Sequence, residues 1–232
     1  MVNSEYTGER WIPELAPENV SRDHLTRYRY AKKRIVGDCV LDVACGVGFG
    51  MKILSLPGKK IVGIDSSWEA VKLGRDRYLS ERQSMIQADA HSLPFQSDTF
   101  STVISFETIE HLRQPDYLLK EIRRTLIRGG RLIISTPVRK QRQLDQFHLR
   151  EFTVPEFIRL VSKYFAVEEV KGQRLMLAPW FWFFSLPWVD RLKRASMIKN
   201  LFRRLYGRDA ISPLPRFPFC IPNFIVVIAR KE

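Results

Sequence analysis

Short apolar, β-branched runs alternate with longer amphipathic stretches through the middle of the chain. Cys39–Val43, Lys60–Ile64, Ser84–Gln87, Ser101–Ser105, Arg131–Ser135 and Val167–Lys171 read as strands. Gly48–Leu54, Ser67–Leu79, Pro115–Ile127 and Val154–Phe165 carry helical spacing between them, and Thr153-Val-Pro-Glu156 has the form of a capping box. Strand, helix and strand repeated in this way predict an α/β fold, a parallel sheet with helices on both faces. The run Asn223–Ala229 predicts one more strand, closing the sheet edge. Two flanks stand outside the alternation. Residues 1–36 hold a polar lead and a predicted helix over Ser21–Ile35. Residues 173–222 separate the last two strands by more than a usual connection and predict a cap, leaving 37–172 plus 223–232 as the core of a single domain.

Composition narrows the class. At 232 residues, 45% hydrophobic and 27% charged, the chain can bury a full core and reads as a soluble globular protein. The start, MVNSEYTGER, lacks a basic stretch followed by an apolar core, and Cys39, Cys45 and Cys220 have no metal spacing; both features predict a reducing, cytoplasmic setting. The formal charge of +13 is concentrated late in the chain, with ten Lys/Arg against two acids from Arg191 to Glu232. Such a field favours an anionic partner: nucleic acid, anionic lipid or a phosphorylated substrate.

VLDVACGVGFG, residues 40–50, carries the first chemistry. A strand ending near Asp42 and turning through Gly46, Gly48 and Gly50 into a helix suits a ligand laid across the strand's carboxyl end. Nineteen residues after Gly46, Asp65 ends the next strand, placed to accept from two ribose hydroxyls. Asp89, after the third strand, could accept from an exocyclic adenine amine. A nicotinamide dinucleotide would share Asp65, but Asp42 would repel a pyrophosphate, and the glycines read GxGxG rather than GxGxxG. A ligand with adenine, ribose, a carboxylate and an ammonium group fits all three acids, and S-adenosylmethionine has each of these.

VLDVACGVGFG, IVGIDSS, QADAHSLPF, FSTVISFETIEHL and LIRGGRLIISTP, in this order and spacing, resemble the class I S-adenosylmethionine-dependent methyltransferases. The resemblance implies a Rossmann-like seven-stranded sheet of order 3-2-1-4-5-7-6 with the seventh strand antiparallel. It implies that Asp42 and the backbone of Ala44, Gly46 and Gly48 hold the methionine end, Asp65 with Ser66 the ribose, and Asp89 with the Ala90 amide the adenine. Phe106 would lie beside the methyl sulfonium. TGERWIPE, HLTRYRYA and FHLREFT further resemble a bacterial and archaeal subgroup tied to surface-glycan synthesis, in which the amino-terminal helix covers the cofactor. That places Arg27 or Tyr28 near the cofactor's carboxylate. Val47 stands where the subgroup usually carries an acid.

The reaction side is read from SFETIEHL. Glu107, Glu110 and His111 are spaced i, i+3 and i+4, so on a helix they share a face just beyond Phe106. His148 follows the fifth strand and could reach the same crevice. Two carboxylates and two imidazoles can hold Mg, Mn or Zn, and the pattern resembles the metal motif of ubiquinone-pathway O-methyltransferases and small-RNA 2′-O-methyltransferases. Without a metal, His111 or His148 could act as a general base, helped by Glu107; a purely structural role is the third reading.

LMLAPWFWFFSLPWV, residues 175–189, is uncharged but interrupted by two prolines and shorter than the roughly 20 residues of a spanning helix. An amphipathic basic run follows, so residues 175–206 predict contact with an anionic membrane surface, against a cap packed on the core or on a second subunit. RNA is a weaker fit, because aliphatic residues outnumber what base stacking uses. The sequence as a whole predicts an O-methyltransferase, cytoplasmic or peripheral on the inner membrane face. The subgroup resemblance implies a sugar hydroxyl of a glycan or lipid-linked precursor as acceptor. The alternatives are a lipophilic small molecule such as a quinone precursor, RNA, or a non-catalytic cofactor-binding protein.

Overall fold

The computed structural model describes residues 11–139, 147–177, 211–214 and 220–232. In chain order its elements are α1 (Glu18–Lys32), β1 (Cys39–Val43), α2 (Phe49–Leu54), β2 (Lys60–Asp65), α3 (Trp68–Arg77), β3 (Gln83–Gln87) and β4 (Phe100–Phe106). A 3₁₀ turn over Ile109–His111 follows, then α4 (Pro115–Thr125), β5 (Leu126–Pro137), α5 (Val154–Ser162), β6 (Ala166–Leu177), β7 (Ile211–Pro213) and β8 (Cys220–Arg230). The first helix starts and ends three residues before the predicted Ser21–Ile35.

Local chemistry explains the boundaries. Ser67 caps α3 by accepting from the Ala70 amide. Thr153 and Glu156 form the reciprocal capping box expected at α5. Pro115 occupies the first turn of α4, where its missing N–H has no helical partner to lose. That helix buries Leu118, Leu119 and Ile122 along one stripe, each such side chain adding about 1.5–3 kcal/mol by leaving water.

The sheet runs β3-β2-β1-β4-β5-β8-β6-β7. β1 to β5 are parallel, and β8 lies antiparallel between β5 and β6. The first seven places thus match the expected 3-2-1-4-5-7-6, with β8 as its antiparallel strand. The expected seven strands become eight among the described residues, because Ile211–Pro213 pairs with the edge of β6. Three residues ending in proline carry no alternation and gave no strand signal. The predicted cap also shrinks at both ends: β6 continues to Leu177 and β8 begins at Cys220, so their pairing extends past Pro137, the last residue of β5. Of the predicted aromatic and basic segment, residues 175–206, the first three end β6 and the rest lie outside the described residues.

Alternation along the central strands sorts the core onto two faces. Leu41, Val43, Val103, Leu132 and Ile134 pack with α4 and α5. Val40, Ile104 and Ile133 point the other way and pack with Tyr28 and Ala31 of α1 and Met51 and Leu54 of α2. Asp42 shares the parity of Val40, so its carboxyl emerges under α1. No helix among the described residues is long and apolar enough to cross a membrane.

Candidate active site

The carboxyl ends of β1, β2 and β4 open into one pocket under α1. Its wall includes Tyr28, Ala44, Gly46, Asp65, Ser66, Asp89, Ala90, Phe106, Glu107 and His111. Most of the residues singled out from the sequence therefore meet at one place. Asp42, Gly48, Glu110 and His148 do not line it. Asp42 is fully buried behind Tyr28, whose hydroxyl donates to Asp42 Oδ2 at 3.0 Å. Its other oxygen, Oδ1, is buried without a hydrogen-bond partner. Burial raises the Asp42 carboxyl to about 7, opposed by the Tyr28 hydrogen bond and reinforced by the nearby Asp65 charge. The Tyr28 hydroxyl is itself pushed well up, first by burial and then by Asp42.

Asp65 is anchored on both oxygens. Oδ2 accepts from the Gly46 amide at 2.9 Å and Oδ1 from the Ser67 amide at 3.0 Å. The carboxylate thus sets the glycine turn while its remaining lone pairs face the pocket. Asp89 accepts from the backbone N–H of His91 at 2.8 Å, the largest reason its carboxyl sits below the usual range.

The three glycines of the loop have three different jobs. Gly46 has φ 58° and open space where a Cβ would stand, on the pocket side of the turn. At Gly48 an added Cβ would fall against the Met85 sulfur, and at Gly50 it would stand 2.0 Å from the hydroxyl-bearing ring carbon of Tyr28, a clash. That ring is held on its other side by Phe106, with centroids 5.1 Å apart. We expect Gly50→Ala to displace Tyr28, break its bond to Asp42 and destabilise the unliganded chain by about 1–3 kcal/mol. At this chain length a thermal melt should fall by roughly 3–10 °C. Gly46→Ala should cost only about 1 kcal/mol of backbone strain, so equal losses at the two positions would contradict this division of labour.

Sequence reasoning missed much of the pocket's lid. Trp11 stacks on His24 with centroids 4.8 Å apart and meets Phe49 edge-on at 5.2 Å. Its indole N–H donates to Ser21 Oγ. His24 lines the pocket, and its pKa is lowered well below the usual value by burial first and then by the Arg27 charge. No spacing rule marks a lone tryptophan ahead of a helix; its only signal was its place in TGERWIPE. Arg27 turns away from the pocket. It is 1% exposed, donates to Gln173 Oε1 at 2.8 Å, and lies 3.9 Å from Glu107 Oε2.

The reaction side differs from the predicted helix. Glu107 has φ 51°, a left-handed backbone that a non-glycine residue adopts at a cost, and only one 3₁₀ turn follows. Glu107 and Glu110 consequently do not share a helical face. Glu107 is held by the Ser135 hydroxyl at 3.0 Å and stands at the pocket wall. Glu110, His111 and His148 converge instead: one ligand atom from each lies within 4.8 Å of the other two. His111 Nδ1 lies 2.9 Å from the Phe147 carbonyl, and His148 Nδ1 lies 3.0 Å from Glu151 Oε1. Donation by both Nδ1–H groups leaves both Nε2 lone pairs uncommitted. Glu110 Oε2 accepts from Thr136 Oγ1 at 3.0 Å, whereas Oε1 is buried and unpartnered. Burial, then the neighbouring Glu107 charge, pushes the Glu110 carboxyl well up. An orphaned buried oxygen beside two imidazole nitrogens, each ring oriented by a hydrogen bond at its far side, fits a divalent cation. The fourth expected ligand, Glu107, is absent from the cluster.

This layout defines an α/β domain that lays an extended ligand across the strand ends. A profile of the family described as "Methyltransferase domain" matches residues 41–134. A probable S-adenosylmethionine-dependent methyltransferase of Mycolicibacterium smegmatis is 32% identical over 174 residues, covering 72% of this chain and 67% of that protein. A Mycobacterium tuberculosis protein of the same description is 32% identical over 162 residues, and the chain spans 58% of its length. A demethylmenaquinone methyltransferase of Clavibacter sepedonicus is 27% identical over 77% of this chain and 73% of its own. Among solved structures, a chain of the Haloferax volcanii complex between the Trm112 methyltransferase activator and its methyltransferase superposes with a TM-score of 0.65 at 18% identity, covering 93% of each chain. The chain belongs to the S-adenosylmethionine-dependent methyltransferases, and S-adenosylmethionine is its cofactor.

Proposed function

We propose that the chain transfers the methyl group to a hydroxyl oxygen, the acceptor being a sugar of a glycan or of its lipid-linked precursor. The observation that carries the oxygen chemistry is the convergence of Glu110, His111 and His148, a cluster that meets the pocket of Asp65 through His111. In this reading the ammonium reaches Asp42 by displacing the Tyr28 hydroxyl that covers it in the unliganded chain, and the backbone of Ala44 and Gly46 holds the methionine end, with Gly48 shaping the turn behind them. Asp65 and Ser66 take the ribose, and Asp89 with the Ala90 amide takes the adenine. Phe106 flanks the sulfonium and, with the Trp11–His24 lid, excludes water.

Methyl transfer is an in-line displacement: the oxygen–carbon bond forms as the sulfur–carbon bond breaks, and the acceptor's proton must leave. Glu110, His111 and His148 would hold a divalent cation, which would lower the pKa of a nearby hydroxyl. Two imidazoles and one carboxylate suit Mn or Zn better than Mg, which favours oxygen ligands. Glu107, outside the cluster but at the wall, is then the carboxylate placed to receive the proton. The glycan assignment is supported by the motifs shared with the surface-glycan subgroup and by residues 175–206, whose apolar and basic pattern suits a lipid-borne acceptor at an anionic membrane. A lipophilic small-molecule acceptor is the second reading, supported by the likeness to a demethylmenaquinone methyltransferase.

The test combines methyl-labelled S-adenosylmethionine, purified protein and a cell extract divided into glycan, lipid, RNA and small-molecule pools. Label in the glycan or lipid-glycan pool is the expected result. Label confined to the small-molecule or RNA pool would overturn the acceptor assignment, and label on nitrogen or carbon would overturn the oxygen chemistry.

A further inference from the structure

A second concavity lies on the far side of the His148–Phe152 segment, between the amino-terminal end of α4 at Asp116 and the face of α5 that runs from Glu156 to its carboxyl end at Lys163. Asp116, Arg139, Arg150, Glu151, Glu156, Arg159 and Lys163 supply its charged lining. The segment from His148 to Phe152 separates it from the active site and serves both. The amides of Leu149 and Arg150 donate to the Glu110 carbonyl at 3.0 and 3.1 Å. His148 belongs to the cluster, while Arg150 lines the second concavity. Glu151 joins the two, because it lines the concavity and its Oε1 holds His148 Nδ1 at 3.0 Å.

The charges there do not cancel locally. Glu156 is committed to the Thr153 amide at 2.8 Å and to Arg139 at 3.1 Å. Asp116 accepts from the Tyr164 hydroxyl at 2.7 Å and pairs with Lys163 at 3.6 Å. Glu151 is taken by His148. Arg150 rests on the Phe152 ring, with its guanidinium carbon 5.8 Å from the centroid, and neither it nor Arg159 has a carboxylate partner among the described residues. The bridge between Val138 and Phe152, with the Arg139 amide donating to the Phe152 carbonyl, brings Arg139 alongside Arg150. Helical spacing on α5 places Glu156, Arg159 and Lys163 at i, i+3 and i+7 of one face. Two uncommitted guanidinium forks facing one hollow suit a tetrahedral dianion better than a single carboxylate.

We propose that this concavity binds a phosphoryl or diphosphoryl group carried by the methyl acceptor, through Arg150 and Arg159. The inference rests on the reading that the acceptor's hydroxyl reaches the Glu110–His111–His148 end of the pocket. It narrows that acceptor to a phosphorylated sugar whose phosphate sits across the His148–Glu151 wall from the reacting oxygen. Substrate selection then depends on a charge located away from the cofactor.

The test titrates inorganic pyrophosphate into the full chain by calorimetry, with saturating S-adenosylhomocysteine and with EDTA so that no metal is chelated at the cluster. We expect saturable binding that weakens at least tenfold in the R150A/R159A double variant, is partly restored in R150K/R159K, and is unchanged in R29A/R82A, which removes equal charge elsewhere. Binding that is absent from the wild type, survives R150A/R159A, or falls equally in R29A/R82A overturns the assignment. In the labelling assay, pyrophosphate should compete with the accepting pool and not with S-adenosylmethionine. Binding without such competition would make the site one for a free anion and overturn its link to the acceptor. Loss of label transfer in the wild type with pyrophosphate binding intact would instead strike the proposed reaction.

Discussion

Asp42→Asn should weaken S-adenosylhomocysteine binding by about 100-fold, the loss expected when one charge-assisted contact becomes a neutral one in a buried site. The proposed ligand brings an ammonium to a carboxyl whose Oδ1 is buried and unpartnered. The pH dependence is a sharper check. Without ligand, Asp42 titrates at about 7, so below that pH it is neutral and the ammonium meets no counter-charge. The association constant should therefore fall as the pH drops below about 7, approaching tenfold per unit, and level off above it. The amide introduced by D42N cannot titrate, so that variant's profile should lose this slope. The unliganded fold should show the opposite preference. Between the unfolded carboxyl value near 4 and about 7, the unfolded chain ionises Asp42 and the folded chain does not, so stability declines as the pH rises across that window. Calorimetry from pH 5.5 to 8.5 measures the binding slope. A wild-type affinity independent of pH would remove Asp42 from the ammonium site.

Glu110→Gln should have the second large effect, and on a different step. An amide keeps the size of the side chain but removes the charge that a cation would find at Oε1. We expect Mn or Zn retained after dialysis to fall at least tenfold, and methyl transfer by about 100-fold or more. S-adenosylhomocysteine binding should be unchanged, because the ligand end at Asp42 and Asp65 is untouched. His148→Ala should act in the same direction. Elemental analysis of the dialysed proteins separates this from a packing defect. If the wild type retains no metal and chelator leaves transfer intact, Glu110, His111 and His148 revert to metal-free roles.

The fold was legible where one signal dominated. β1, β2, β4 and β5 lie in the sheet interior and their apolar runs stood out, while edge strand β3 buries only Met85; boundaries moved by a few residues, most at β5 and β6, which extend through glycine and charged positions that carry no strand signal. The cofactor side was legible because Asp42 and Asp65 stand at the carboxyl ends of β1 and β2 and Asp89 just past β3, so position along the chain becomes position on one edge. The acceptor side was less so. Residue spacing implied a helix after Phe106, but a helix there would have driven Glu107 and Glu110 onto one face. The left-handed residue at Glu107 instead sends its carboxylate to Ser135 and Arg27. Nothing local announces that turn, because its partners lie on β5 and α1. Long-range pairing also explains Arg27. Read as one of two residues that could meet the ligand, it is buried against Gln173 on β6, a contact spanning most of the chain.

β6 and β8 continue together beyond the end of β5, and Gln173 of β6 faces Ile211 of β7. Because β6 runs in the same direction as β1 to β5, Leu177 lies at the cofactor's edge of the sheet, and Ile211 lies on the adjacent strand opposite Gln173. Backbone pairing, which is indifferent to side-chain type, sets the spacing of these two positions. That pairing shares no residue with Asp42, Asp65 or the glycine turn, so a substitution that shifts the register at this edge and one that alters the cofactor's contacts are separate events along the chain.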